Sequence, residues 1–284
     1  MIAENAERLI YSKDSVYNLI TVYEEGLART LRLGEGSAAR KQSSIDVKNL
    51  NRHLLEYTRL AFASLLLNEN PRRVLITGLG GGVIPREMHG HFPEALIDVV
   101  EIDLEVVNVA RRFFFFQPDE RLRVHVSDGR VFVRRQAARK PQPAYDLIIL
   151  DAFNNEYIPF HMATQEFLQE VAAILHPKGV VAANAFRRNQ LFDAQVQTFR
   201  VVYGRCYVFF GRQASNAMLV SPGPDVSDLE LDLGIEHANL LQRRHEFSFN
   251  MKTVARQLKP RFRPKRNAQV LTDNQKSVND LRLC

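Results

Sequence analysis

The sequence predicts an α/β fold in which helices cover both faces of a mostly parallel sheet, preceded by a small antiparallel β domain. Two observations support this prediction. Short apolar runs alternate with helical segments over residues 74–184, a pattern typical of parallel sheets. Residues 8–33 instead alternate β-forming and polar side chains between turn-forming sequences, as in an antiparallel meander. We therefore expect two domains, over residues 1–50 and 51–284.

The N-terminal meander is predicted from β-forming runs at residues 9–11, 16–23 and 28–33. Turn-forming residues separate the runs, and a glycine-rich turn at residues 34–37 closes the meander. Apolar residues at helical spacing then predict one amphipathic helix over residues 54–67, which ends before Pro71.

The second domain is predicted from elements that alternate along the chain. Buried strands are expected at short apolar runs, namely residues 74–77, 97–103, 122–126, 145–151 and 179–184. Helices are expected at residues 84–91, 104–115 and 164–175. Nearer the C-terminus we expect strands at residues 207–210 and 217–220, a helix at residues 237–244 and a polar tail.

The composition is that of an ordinary soluble protein, because 45% of the 284 residues are hydrophobic and 25% are charged. The two cysteines, Cys206 and Cys284, form no CxxC pair, which argues against a disulfide scaffold or a cysteine zinc site. No apolar stretch reaches the roughly 18 residues of a membrane span, and no secretion signal is recognisable. A cytoplasmic location is therefore expected.

The formal net charge of +6 suits an anionic partner, but an excess of this size is more typical of a solvated surface. Two basic clusters, at residues 134–140 and 259–266, have prolines in or beside them and few aromatic residues. We expect these clusters to form loops. Nucleic-acid binding is therefore not favoured.

A glycine loop follows the first strand of the second domain, with glycines at Gly78, Gly80, Gly81 and Gly82. In a doubly wound sheet the ligand lies beyond the carboxyl ends of the strands, where glycines allow it to approach the backbone. No Lys-Ser or Lys-Thr follows the glycines, which excludes a P-loop, and their spacing departs from the dinucleotide pattern. An adenosyl-sulfonium ligand needs no phosphate cradle, so the loop favours a Rossmann-like adenosyl site.

Acidic residues end the next three predicted strands. Glu101 lies where a carboxylate accepts hydrogen bonds from both ribose hydroxyls. Asp128, followed by Gly129, is placed to meet the adenine amino group, and Asp151 ends the fourth strand at the centre of the cleft. Each acid alone is compatible with a solvated strand end. Their succession after the glycine loop strengthens the prediction of an adenosyl site.

The order of these motifs resembles the spermidine synthase (polyamine aminopropyltransferase) family. The resemblance rests on Val74-Leu-Ile-Thr-Gly-Leu-Gly-Gly-Gly-Val-Ile-Pro-Arg-Glu87, Val100-Glu-Ile-Asp103, Ser127-Asp-Gly-Arg130, Leu150-Asp151 and Val270-Leu-Thr-Asp273. It covers nearly the whole chain, although each motif is shared in part with class I methyltransferases. It implies a Rossmann-like class I S-adenosylmethionine-binding core, with a small N-terminal β domain.

The resemblance also implies roles for individual residues. Decarboxylated S-adenosylmethionine or S-adenosylmethionine itself would be the co-substrate, with no metal required. Residues implied to hold it are Gln42 as a gating residue, Gly78, Gly80, Gly81 and Gly82 at the methionine-derived chain, Glu101 at the ribose, Asp128 and Gly129 at the adenine, and Ile102 in the same cofactor site. Asp151 would orient and deprotonate a small-molecule amine acceptor. Tyr57, Asn154 and Tyr157 would contact that acceptor.

The chain departs from the family at acids that would hold a diamine. Gly81 stands where the family has an acidic loop residue, Thr58 and Arg59 replace a His-Glu pair after the tyrosine, and Asn154 replaces a second aspartate. An ammonium that loses its partner in a desolvated site costs several kcal/mol, so putrescine is a doubtful acceptor. The aromatic run at residues 157–160 indicates either an apolar acceptor pocket or a lid packed on the core, and Glu156 is available to restore one carboxylate.

Three functions remain compatible with the sequence: aminopropyl transfer, methyl transfer from S-adenosylmethionine, and an inactive binding homologue. Gly81 favours methyl transfer, since the missing carboxylate leaves room for the donor's own carboxylate and removes its repulsion. Asp151 argues against the inactive homologue. By resemblance to the family we also expect a homodimer or homotetramer.

Overall fold

The computed structural model describes residues 6–36, 39–142, 144–152, 159–213 and 215–275. It contains a small antiparallel sheet and a larger, mostly parallel one. The small sheet is a meander whose strands pair in chain order: β1 (Arg8–Asp14), β2 (Leu19–Glu25), β3 (Ala28–Leu33), β4 (Arg40–Asp46) and β5 (Asn49–His53). The predicted antiparallel N-terminal domain is confirmed, but it has two strands more than the sequence indicated.

The larger sheet has seven strands. In chain order they are β6 (Arg73–Thr77), β7 (Leu96–Glu101), β8 (Leu122–Val126), β9 (Tyr145–Leu150), β10 (Leu175–Phe186), β11 (Tyr207–Phe210) and β12 (Asn216–Pro222). Across the sheet the order is β11-β12-β10-β9-β6-β7-β8. The neighbours from β10 to β8 are parallel, whereas β12 is antiparallel to both β10 and β11. The predicted mixed, mostly parallel sheet is therefore confirmed.

Helices cover both faces of this sheet. They are α1 (Glu56–Leu60), α2 (Val83–His91), α3 (Leu104–Phe113), α4 (Gly129–Ala137), α5 (Gln165–Ala173), α6 (Phe192–Tyr203), α7 (Leu231–His245) and α8 (Met251–Ala255), with 3₁₀ turns at Ala61–Leu66 and Phe160–Met162. Successive strand residues point to opposite faces, so Ile76 and Ile149 belong to one buried cluster and Leu75 and Ile148 to the other. This two-sided burial explains why the strands read as continuous apolar runs.

The small sheet packs on the helices of the larger one. Its inward side chains include Ile20, Leu31 and Ile45, which share a buried cluster with Val106 of α3 and Phe114 just beyond it. Alternate residues of β2 and β3 are buried in this way because one face of the meander is apolar. The meander is therefore held beside the end of β6, where the glycine loop lies.

Several predicted elements are corrected by the structure. The single helix expected over residues 54–67 is α1 followed by a 3₁₀ turn, and the strand expected to reach Asp103 ends at Glu101. Arg134 and Arg135, expected in a loop, lie in the last turn of α4. The expected polar tail contains α8. Among the described helices, none is long and apolar enough to cross a membrane.

Candidate active site

The glycine loop brings the ends of β6 and β9 into contact. Gly78 has a φ of +89°, and a Cβ built there would lie 2.4 Å from the backbone oxygen of Asp151. Its N–H donates to the Val100 carbonyl at 2.8 Å. Gly82, with a φ of +72°, leaves no space for a Cβ against the ring of Phe116. Glycine is required at both positions, because other residues rarely adopt this backbone and their side chains would collide.

Gly81 lies against a residue of the small sheet. Its N–H donates to the Ser43 hydroxyl at 2.8 Å, and a Cβ built there would lie 2.7 Å from Phe114 Cδ1 and 2.9 Å from Ser43 Cβ. A side chain on residue 81 would therefore collide with Phe114 and Ser43 unless they moved.

Glu101 ties the glycine loop to the end of β7. The carboxylate is only 9% exposed and accepts hydrogen bonds from the Leu79 N–H at 2.9 Å and the Asp103 N–H at 3.0 Å. Burial raises its pKa, and these backbone donors oppose the rise. The neighbouring Ile102 is 39% exposed at the mouth of the cleft. Glu101 thus holds the loop in shape with lone pairs left for a ligand.

Asp128 and Gly129 form the start of α4. One oxygen of Asp128 accepts from the Val131 N–H at 2.9 Å and so caps the helix. The other lies 3.0 Å from His161 Nε2. A Cβ at Gly129 would lie 2.6 Å from Met162 Cε. The Phe160–Met162 turn therefore covers this pair.

Arg130 joins two of the motifs singled out in the sequence. This side chain is buried and pairs with Glu170 and with Asp273, each at 2.7 Å from Nη2. Asp273 also accepts from the Thr164 hydroxyl at 2.7 Å. The C-terminal segment is thereby fastened to the helix that begins at the predicted adenine residues.

Asp151 sits just beyond β9, and its N–H donates to the Thr77 carbonyl at 2.9 Å. Its Oδ1 accepts from Asn184 Nδ2 at 2.8 Å, and Asn184 Oδ1 accepts from Asn216 Nδ2 at 2.9 Å. This chain of hydrogen bonds crosses β10 and β12 and fixes the carboxyl group in place. Burial raises the pKa of Asp151 to about 7, although the bond from Asn184 opposes the rise. The group is therefore able to exchange a proton near neutral pH.

Tyr57 connects helix α1 to the small sheet. Its hydroxyl donates to the Gln42 carbonyl at 2.6 Å, and that carbonyl would be 3.8 Å from a Cβ at Gly80. Burial, followed by the negative charge of Asp151, raises the pKa of Tyr57 and keeps the phenol neutral. Tyr57 and Gln42 thus border the same cleft as the glycine loop.

The structure brings together most of the residues that the sequence singled out. Those near the glycine loop are Gln42, Tyr57, Glu101 and Asp151, while Ile102, Asp128 and Gly129 line the next strand ends. Asn154 and Tyr157 lie outside the described residues. Among the residues that are described, no group of three or more His, Cys, Asp or Glu side chains is gathered to hold a metal.

Two residues of the site were missed by sequence reasoning. Asn184 ends a predicted strand, so its place at the carboxyl edge was a usable signal. Ser43 belongs to a strand that was not predicted, and no local pattern marks its contact with Gly81.

Comparisons with known proteins show the family to which the chain belongs. A family model described as the spermine/spermidine synthase domain matches residues 56–216. The polyamine aminopropyltransferase of Vibrio vulnificus is 40% identical over 215 residues, which covers 75% of this chain and 71% of the relative. Residues 56–216, which the family model matches, contain the glycine loop and all three strand-end acids.

Two solved structures are also similar. Human methyltransferase-like protein 13, in complex with SAH, is 32% identical with a TM-score of 0.59, over 67% of this chain and 90% of that one. A probable spermidine synthase from Corynebacterium glutamicum is 17% identical with a TM-score of 0.72, over 94% of this chain and 98% of that one, and so resembles it in fold. With more than half its length matched by the family model, the chain belongs to the spermine/spermidine synthase family of transferases.

Proposed function

We propose that this protein transfers an aminopropyl group from decarboxylated S-adenosylmethionine to an amine acceptor, with Asp151 as the general base. The observation that carries the proposal is the position and protonation of Asp151. Its carboxyl group lies at the carboxyl edge of the sheet beside the glycine loop, it is held by Asn184, and its pKa is raised to about 7. A general base works best when its pKa is near the operating pH.

The reaction needs such a group because an amine is protonated in neutral water and an ammonium has no lone pair. Asp151 accepts the proton, and the freed lone pair attacks the aminopropyl carbon next to the sulfonium. The C–S bond breaks, and its electrons neutralise the sulfur to give a thioether. Holding the amine in line with that carbon supplies much of the remaining rate. Tyr57, kept neutral beside Asp151, borders the path of the amine.

The residues at the strand ends support a donor that contains an adenosyl group. Glu101 has lone pairs for the ribose hydroxyls beyond its two backbone bonds. In this proposal Asp128 and Gly129 contact the adenine, and Ile102 lies at the neighbouring strand end. A human relative was solved with SAH bound, which supports a donor of this kind.

Donor binding tests the proposal directly. We expect calorimetric titration to give tighter binding of decarboxylated S-adenosylmethionine than of S-adenosylmethionine, and mass spectrometry to detect an amine heavier by one aminopropyl group. Asp151→Asn should abolish this product while leaving donor affinity within a few-fold. Turnover by Asp151→Asn at the wild-type rate would remove Asp151 from the role of base.

Methyl transfer is the second candidate, because Gly81 lacks the family's loop acid and a methyltransferase is 32% identical. One contact weighs against it, because the Gly81 N–H already donates to the Ser43 hydroxyl and is not free to bind a donor carboxylate. Preference for S-adenosylmethionine, with a product heavier by one methyl group, would establish this alternative. Failure to bind either donor would indicate an inactive homologue.

A further inference from the structure

Two asparagine side chains form a chain of hydrogen bonds that ends on the proposed base. Asn184 Nδ2 donates to Asp151 Oδ1 at 2.8 Å, and Asn184 Oδ1 accepts from Asn216 Nδ2 at 2.9 Å. Asn184 is only 4% exposed and Asn216 only 8%. Water therefore competes little for these bonds, and each amide depends on its neighbour for a partner.

The direction of this chain is linked to the charge of Asp151. An ionised carboxylate only accepts hydrogen bonds, whereas a protonated carboxyl group also donates one. In the structure Asn184 offers its N–H side to Asp151, which favours the ionised form. If the amide of Asn184 were turned over, its oxygen would face Asp151 and would favour the protonated form. The two orientations of this amide thus correspond to the two protonation states of the acid.

Asn216 selects one of these orientations. It lies on β12, where it pairs with Phe186 of the neighbouring strand β10, and its Nδ2 faces the oxygen of Asn184. Turning Asn184 over would bring two N–H groups face to face and would lose a buried hydrogen bond. The donor on Asn216 therefore opposes the orientation of Asn184 that suits protonated Asp151.

We propose that Asn216 is a positioning residue for the reaction: by donating to Asn184 Oδ1, it keeps the N–H side of Asn184 turned toward Asp151 and so favours the ionised carboxylate that accepts the proton of the amine. The proposal rests on the proposed function, since it treats Asp151 as the base.

The surroundings of Asp151 make this contribution matter. Burial drives the carboxyl group toward its protonated form, and the bond from Asn184 opposes that effect. In the described part of the chain, Tyr57 of α1 is the titratable side chain that the charge of Asp151 affects, and it is neutral. Tyr57 therefore supplies no positive charge that would hold Asp151 ionised.

Carbon-13 NMR of the aspartate carboxyl groups measures the ionisation of Asp151 without turnover. The full-length protein is labelled at these carbons, and the Asp151 signal is the one that Asp151→Asn lacks. Asn216→Leu keeps the approximate size of the side chain and removes its donor. We expect the pKa of Asp151 to rise by about 0.5–1 pH unit, which corresponds to one hydrogen bond. An unchanged titration of Asp151 would overturn the proposal.

Asn189→Leu is the matched control, because Asn189 is also buried, at 7% exposure, and follows β10. Its Oδ1 accepts from the Leu191 N–H at 2.8 Å, so this variant loses a buried hydrogen bond outside the chain that leads to Asp151. The pKa of Asp151 should not change in it. An equal rise in Asn189→Leu and Asn216→Leu would show a general loosening and would overturn the role of Asn216.

Asn216→Asp is a second variant of nearly identical shape, for the case in which Asn216→Leu does not fold. Its carboxylate only accepts hydrogen bonds, so it should draw the N–H side of Asn184 away from Asp151. We expect the pKa of Asp151 to rise by more than about 1 pH unit, because the added negative charge acts in the same direction. An unchanged titration here would also overturn the proposal.

The rate profile separates positioning from a purely structural role. The kcat of Asn216→Leu should be about 3- to 10-fold below that of the wild type at pH 6 and within about 2-fold of it at pH 9, because a raised pKa matters only where Asp151 is partly protonated. An equal loss at both pH values would overturn the positioning role.

The NMR and rate measurements also distinguish this inference from the proposed function. A titration of Asp151 that shifts in Asn216→Leu, in a protein that transfers no aminopropyl group to any amine, would support the control of Asp151 by Asn216 and overturn the function. Aminopropyl transfer by a protein in which the titration does not shift would overturn the role of Asn216 and leave the function standing.

Discussion

Asp151→Asn removes one titrating group from the end of β9 and leaves its shape in place. The new amide oxygen still accepts from Asn184 Nδ2, now 2.8 Å from Oδ1. In the wild type, burial raises the pKa from its ordinary value of 3.8 to about 7. Between these values the folded protein holds a proton that the unfolded chain releases. The stabilisation that comes from protonated Asp151 is therefore complete below about pH 4 and is lost as the pH rises through about 7.

The size of the effect follows from the two pKa values. Their difference corresponds to about 4 kcal/mol in the free energy of unfolding, of which about 2–3 kcal/mol falls between pH 5 and pH 8. Asp151→Asn lacks this loss, so its stability relative to the wild type should grow with pH and level off above about pH 7. Urea denaturation of both proteins at pH 5, 6, 7 and 8 measures it.

The same variant tests the catalytic role. Wild-type kcat should rise with pH up to about 7 as Asp151 ionises, and the variant should lose about 100-fold or more at every pH. Parallel stability profiles for the two proteins would show that the pKa of Asp151 is not raised. A flat wild-type rate profile would refute its role as the base.

Three further changes test the supports of the site. Gly78→Ala should lower the free energy of unfolding by about 2 kcal/mol or more, because its Cβ would meet the backbone 2.4 Å away; Gly90→Ala, with open space around it, is the control and should be neutral or stabilising by up to about 1 kcal/mol. Gly81→Asp restores the family acid but places Cβ 2.7 Å from an aromatic ring, so urea denaturation should show a loss of about 1–3 kcal/mol and calorimetry no gain in putrescine affinity. Asp273→Asn should lower the free energy of unfolding by only about 1 kcal/mol, because the buried guanidinium of Arg130 keeps its ion pair with Glu170. An unchanged thermal unfolding temperature would show that the Arg130–Asp273 ion pair does not fasten the C-terminal segment.

The core of the larger sheet was predictable because its strands are buried on both faces. Val74, Leu75 and Ile76 all face apolar neighbours, so the run is uninterrupted and ends at a glycine. The acids at Glu101 and Asp151 were predictable from the rule that ligands meet the carboxyl edge. Boundaries were less accurate. Asp103 was placed in a strand, whereas its side chain caps α3 through the Glu105 N–H.

Strand β4 and the end of helix α4 were not predictable, because they depend on tertiary contacts that leave no pattern in the local sequence. Strand β4 has the sequence Arg-Lys-Gln-Ser-Ser-Ile-Asp, which has little β-forming character, and its buried serines make sense only beside Thr30 and the glycine loop. Arg134 and Arg135 were expected in a loop, because a proline follows this basic cluster and few aromatic residues are interleaved with it. They complete an amphipathic helix, in which basic residues in the last turn interact favourably with the helix dipole.

The bond from the Gly81 N–H to Ser43 has a thermodynamic consequence for the whole chain. The glycine loop takes its shape partly from a residue of the small sheet, so the ordering of the loop and the docking of that sheet are linked equilibria. A ligand that binds only the ordered loop must therefore stabilise the small sheet as well. The loop and the small sheet should lose hydrogen-exchange protection together, and both should regain it when the ligand is added. A truncated chain that begins after the small sheet would retain every strand-end acid and still bind the donor weakly.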